Sequence, residues 1–136
     1  MQKVFVDTDV ALDLLSGRLP HYEYAARLFT LADKRIVRLF ISALSFSNLN
    51  YVLRRARSAN DVRKILVDFR ILVNVLAVDD KIIQLALQAE FNDFEDAIQH
   101  FTAIENHVPV LLTRNIRDYR KSSLPVSTPE QFLKTL

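Results

Sequence analysis

Four short runs of nearly continuous apolar character punctuate this chain: Lys3–Val6 (KVFV), Ile36–Ile41 (IVRLFI), Asn74–Val78 (NVLAV) and Val110–Thr113 (VLLT). A strand buried on one face alternates polar with apolar residues, whereas one buried on both faces reads as a run. The segments between the runs carry apolar residues at helical spacing. Val10–Leu15 stops at Ser16-Gly17, and His21–Asp33 opens after Pro20 with Tyr24, Ala25, Leu28, Phe29 and Ala32 on one side. Ser42–Arg57 places Phe46, Leu49, Val52, Leu53 and Ala56 on one arc, and Ser58-Ala59-Asn60-Asp61 introduces a helix to about Leu72. Further helices are predicted from Asp79 or Asp80, from Asp93 to His107, and after Thr128-Pro129-Glu130; Pro125-Val126-Ser127 is a last short strand. Strands that alternate with amphipathic helices predict a parallel sheet covered on both faces, in one α/β domain spanning residues 1–136.

Composition removes several chemistries. There is no cysteine, which excludes disulfide scaffolds, zinc ribbons and thiol nucleophiles. The only glycine is Gly17, so neither GxGxxG, GxxxxGK[ST] nor GxSxG can be written. The net charge is +2, too mild to name a partner. Its distribution says more: Arg54, Arg55, Arg57, Arg63, Lys64 and Arg70 face only Asp61 and Asp68 over that stretch. Such residues form a solvated helix surface or a phosphate-facing patch. The N-terminal stretch is interrupted by Asp7, Asp9 and Asp13, unlike a signal peptide, and the most apolar stretch, Ile71–Val78, is far below the roughly 20 residues that cross a bilayer. A cytoplasmic protein without a membrane segment is the expectation.

In an open parallel sheet, ligands bind beyond the carboxyl ends of the strands. The first run ends in Asp7; the fourth ends in Thr113, followed by Arg114, Asn115 and Asp118. The helix before the fourth run begins Asp93-Phe94-Glu95-Asp96, and Asp93, Asp96 and His100 share a face with Ala97, Ala103 and Ile104. Asp7, Asp96 and Asp118 are therefore the acids that can converge from three segments. Crowded carboxylates repel unless a cation neutralises them, and oxygen donors without a His/Cys set suit Mg²⁺ or Mn²⁺. Capping competes for several of these acids. Asp9 reads as the cap of the first helix, Asp93 as a possible cap of its own, Asp79-Asp80 as a cap pair, and His100 as a packed histidine.

VFVDTDVALDLL, FISALSFSNLNYVLRR, DFEDAIQHFTAIENH and VLLTRNIRDY, in this order, resemble the PIN-domain family across nearly the whole chain. The resemblance implies a three-layer α/β/α sandwich, an acidic pocket that holds Mg²⁺ or Mn²⁺, and endoribonuclease activity. It also implies the toxin half of a VapC-like toxin–antitoxin pair: RNA as substrate, a cognate antitoxin as partner, and a homodimer, for which the two leading helices offer apolar surface. Carried over residue by residue, Asp7, Asp96 and Asp118 are the catalytic, metal-binding acids. Thr113 and Asn115 support them, and Arg54, Arg55 and Arg114 are candidate RNA contacts. Asp9 stands where many relatives have Asn. The chain departs from the pattern at Asn48, where the family usually has glutamate. An amide carbonyl can ligate but carries no charge. Glu90, Asp93 or Glu95 could supply the charge, with Asp93 best placed on the helical wheel.

Two alternatives follow from the same residues. Val4-Phe5-Val6-Asp7-Thr8-Asp9 also resembles the DxD strand of haloacid-dehalogenase-like phosphatases, but Ala11 and the missing late Gly-Asp motif speak against it. Asn48 points to a catalytically impaired PIN scaffold that binds RNA or a protein without cutting.

Overall fold

The computed structural model describes residues Met1–Leu136. A five-stranded sheet has the order β3-β2-β1-β4-β5, with every neighbouring pair parallel. Its strands are β1 (Gln2–Val6), β2 (Val37–Ser42), β3 (Asn74–Leu76), β4 (Leu111–Leu112) and β5 (Val126–Ser127). The central strand, β1, sets Val4 against Leu39 of β2 and Val6 against Leu112 of β4. The helices are α1 (Thr8–Ser16), α2 (His21–Asp33), α3 (Ala43–Leu53), α4 (Ala59–Leu72), α5 (Asp80–Gln88), α6 (Phe94–Glu105) and α7 (Pro129–Leu133).

The two-residue period of β1 divides the core. Val4 and Val6 point to the side covered by α1, α2, α3, α4 and α7, where they join Leu28, Phe29, Leu49, Phe69 and Phe132. Phe5 points to the other side, against Ala103 of α6, Val108 and Tyr119. Ile82 and Ala86 of α5 pack on Ala97 and Ile98 of α6 outside that layer. Helices thus cover both faces, which is why the strands read as apolar runs. The result is the α/β/α sandwich.

Several element ends differ from the sequence reading, each for a local reason. Helix α1 starts at Thr8, ahead of the apolar period, because its first turn is polar and capped from Asp7; Gly17, at φ 65°, closes it in the left-handed conformation. Strand β3 stops at Leu76, and Asp79 caps α5 as expected of the Asp79-Asp80 pair. Helix α3 ends at Leu53, which leaves Arg54–Arg57 beyond it. The apolar surface expected on the first two helices is largely buried. Leu19 and Tyr22 are exposed near it, and Val67, Ile71, Leu72 and Val75 are exposed on α4 and β3.

Strand order places the site. From β1 the chain moves to β2 and β3 on one side, and later to β4 and β5 on the other. The carboxyl ends of β1 and β4 therefore flank a topological switch point, where a crevice opens in sheets of this kind. Asp7 follows β1 and Thr113 follows β4.

Phe69, 1% exposed, packs between Phe29 and Phe46 with both ring centroids at 5.7 Å. Phe69→Ala is expected to cost about 3–5 kcal/mol in urea-induced unfolding, the usual toll of emptying an aromatic core position. Val67, on the same helix but 59% exposed, should change by less than about 0.5 kcal/mol when cut to alanine.

Candidate active site: an acidic cleft at the switch point

A cleft of about 340 Å³ opens at the carboxyl edge of the sheet, lined by Asp7, Asp9 and Asp96 together with Asn48, Glu95 and Gln99. Thr8, Leu12, Tyr51, Val52 and Asn115 complete its wall. The acids come from three segments: the β1–α1 junction, the first turn of α1, and the first turn of α6.

Asp7 is 8% exposed and does two jobs. As the cap of α1 it accepts the Thr8 N–H through Oδ1 at 2.7 Å. Its Oδ2 accepts the hydroxyls of Thr113 and Tyr119, each at 2.9 Å. Burial pushes its pKa up, and these three donors oppose that shift. Asp9 is not the cap, contrary to the sequence reading. Its Oδ2 turns to the segment after β4, accepting from Thr113 Oγ1 at 3.2 Å, from the Arg114 N–H at 3.1 Å and from Asn115 Nδ2 at 3.4 Å. Burial and the neighbouring Asp7 charge push Asp9 up to about 7. Asp96 is also pushed up to about 7, by burial first and then by the charges of Asp7, Asp93 and Asp118.

The other expected residues take distinct places. Asp118 is exposed on a short 3-10 turn (Ile116–Tyr119) outside the cleft lining, near enough for its charge to act on Asp96. Asp93 caps α6, accepting the Asp96 N–H at 3.1 Å, and is not part of the lining. Its charge still acts on Asp7 and Asp96 from beside the cleft; Glu95 is the acid of this turn that joins the lining, with Asn48 Nδ2 3.4 Å from its Oε2. His100 is packed, as expected, against Phe91 and Phe101, with Nδ1 2.8 Å from the Ser122 hydroxyl. Arg54 and Arg55 are exposed just past α3, and the Arg55 guanidinium lies 5.2 Å from the ring centre of Tyr51 on the cleft wall.

Arg114, the third candidate RNA contact, pairs within the fold. Its Nε lies 2.7 Å from Oδ2 of Asp13, which is buried at 1% exposure. The N–H is not aligned for a hydrogen bond, so the contact is one of charge, and Asp13 Oδ1 has no partner. The same residue's main chain donates to Asp9. The Asp13–Arg114 pair thereby ties the segment after β4 to α1 and holds three donors over Asp9.

Sequence reasoning missed Asp9, Asp13, Gln99 and Tyr119. A signal existed for two of them. Gln99 is a polar residue inside the apolar stripe of α6, and Asp13 is an acid inside the apolar stripe of α1. Tyr119 resembles an ordinary core aromatic until its hydroxyl is placed on Asp7.

The residues present suit a divalent cation. The lining offers hard oxygen donors, Asp9 and Asp96 are pushed up by burial and then by the charge of Asp7, and the buried Oδ1 of Asp9 and Oε1 of Gln99 lack any partner. As the side chains stand, no three of the acids are gathered closely enough to hold an ion on their own. Asp7, Asp9 and Asp96 are the side chains that would hold the ion.

Cutting Arg114 to alanine strands the buried Asp13 carboxylate. A loss of about 3 kcal/mol is expected in urea unfolding, the low end for breaking a buried pair because Arg114 stays partly in water. The double variant Asp13→Leu/Arg114→Met should recover most of it, since an apolar pair leaves no charge unpaired.

The profile described as "PIN domain" matches residues 3–117. Ribonuclease VapC1 of Aquifex aeolicus (strain VF5) is 26% identical over 139 residues, covering 96% of this chain and 93% of that protein. Among solved structures, DNA-bound VapBC from Salmonella typhimurium gives a TM-score of 0.73 at 17% identity, covering 95% of this chain and 99% of that one. A toxin–antitoxin complex from Klebsiella pneumoniae gives 0.68 at 23% identity, covering 93% and 97%. At such identities the two structures establish the fold. The match over residues 3–117 goes further: this chain belongs to the PIN domain family.

Proposed function

We propose that the protein is a divalent-metal-dependent endoribonuclease and the toxin component of a toxin–antitoxin pair. The observation that carries this reading is the acidic cleft itself, with Asp7, Asp9 and Asp96 at the switch point of a PIN sheet. The likeness to a protein named Ribonuclease VapC1 supports RNA as the substrate. The likeness to a toxin–antitoxin complex and to VapBC supports an antitoxin partner, and a homodimer is the proposed assembled form. Mg²⁺ or Mn²⁺ is the proposed ion, because the donor set is oxygen throughout.

A bound divalent ion supplies charge stabilisation at a phosphodiester undergoing displacement by water. The chain's own residues prepare that chemistry. Asp7, Asp9 and Asp96 would hold the ion, with Asp118 adding negative charge from outside the cleft lining. The single hydroxyl proton of Thr113 is shared between Asp7 Oδ2 at 2.9 Å and Asp9 Oδ2 at 3.2 Å, which keeps the two carboxyl groups at a set spacing. The Tyr119 hydroxyl keeps its proton, because burial and the acids around it raise its pKa, so it remains a donor to Asp7. Asn115 holds Asp9 from the cleft wall. Tyr51, 69% exposed and paired with Arg55, offers a stacking face and a cation to a nucleotide at the rim. Arg54 adds charge for the RNA backbone.

Purified protein is expected to cleave single-stranded RNA with Mn²⁺ and to stop on chelation with EDTA. Asp7→Asn should cut the rate by about a hundredfold or more, since it removes both a ligand and charge. Equal cleavage by Asp7→Asn and wild type would refute the assignment. Asn48 favours a second reading, a PIN scaffold that binds without cutting. Its mark would be RNA binding with no cleavage and no thermal shift in millimolar Mn²⁺ or Mg²⁺.

A further inference from the structure

Asn48 on α3 and Glu95 on α6 meet across the cleft. The Asn48 Nδ2 lies 3.4 Å from Glu95 Oε2, a long and weak hydrogen bond that sets the two side chains side by side. Glu95 differs from an ordinary surface acid in its surroundings. It stands in the first turn of α6, where the partial positive charge of the helix end favours an anion. It also shares the cleft lining with Asp7, Asp9 and Asp96.

A separate observation points to what this lining receives. One turn along α6, Gln99 is 1% exposed and its amide orientation is set by donation to Ser45 Oγ at 2.9 Å and to Thr8 Oγ1 at 3.3 Å. Its carbonyl oxygen is left buried with no partner, as is Asp9 Oδ1. A buried acceptor without a donor costs about 1–3 kcal/mol, so such atoms call for a group that attracts oxygen. Acids and a carbonyl facing one cleft, with no lysine or arginine in its lining, fit a cation.

We infer that Glu95 is a fourth cation-facing carboxylate of this site and that Asn48 is its positioning residue. This rests on the metal-dependent reading of the cleft and adds to it a residue from α6. The amide at position 48 carries no charge, but it can hold one supplied from across the cleft. The carboxylate count is then made up by Glu95, one residue before Asp96 in the same helical turn.

Isothermal titration of the full chain with Mn²⁺ tests this, with circular dichroism to confirm that each variant is folded. Glu95→Gln is expected to weaken Mn²⁺ binding about tenfold, and Asn48→Ala about threefold, near the lower range for losing a group that supports a metal site. The exchange variant Asn48→Glu/Glu95→Gln should return affinity to within about threefold of wild type, because it restores the charge from the opposite wall. Unchanged Mn²⁺ affinity in Glu95→Gln, beside lost affinity in Asp7→Asn, would overturn the role of Glu95 and leave the metal site standing. A wild-type protein that takes up no Mn²⁺ would overturn both.

Discussion

Like charges held close together in a half-buried cleft are the constraint around which this structure is organised. Asp7, Asp9 and Asp96 would repel one another and lose hydration if nothing opposed them, and burial already pushes Asp9 and Asp96 up to about 7. The fold answers with aimed donors. Thr113, Tyr119, the Arg114 N–H and Asn115 all point at Asp7 or Asp9, and all come from the one segment that follows β4. The parallel pairing of β4 with β1 is what brings that segment to Asp7. Strand register and acid spacing are therefore one problem.

Position within the sheet explains why the site lies here. Strand β1 is the centre of the sheet, and the chain leaves it toward opposite edges. That arrangement opens a crevice, and it also gives the carboxyl end of β1 neighbours on both sides. The deep burial of Val4, Phe5 and Val6 makes the strand rigid, so the acid that follows them is delivered with little freedom. The Asp13–Arg114 contact extends the same device outward. An acid in the apolar stripe of α1 fixes a cation, and the cation's main chain orients Asp9.

Much of the fold was legible before any coordinates. Continuous apolar runs indicated a parallel sheet with two covered faces, and the order of acidic segments indicated the PIN family. Individual roles were harder to read. Asp9 looked like a cap because the residue ahead of an apolar helical period usually is one; Asp7 caps α1 while also serving the cleft. Asp93 looked like the spare acid because a wheel counts only angles around an axis. Its carboxylate caps α6 through the Asp96 N–H and acts on Asp7 and Asp96 by charge, while Glu95, on a different arc, lines the cleft and meets Asn48. Arg114 looked like a free cation because its partner lies far back in the sequence at Asp13.

The sequence by itself determined the class of fold and the kind of chemistry available. Periodicity is a local property, and a chain without cysteine and with one glycine leaves carboxylates as its main reactive resource. Tertiary structure decided which carboxylates face the cleft, which cap helices, and which are paired with a cation. Those assignments depend on contacts between residues about 50 to 110 positions apart, such as Thr113 with Asp7 and Asn48 with Glu95. No local pattern encodes them, because they exist only once β4 lies beside β1 and α6 packs across from α3.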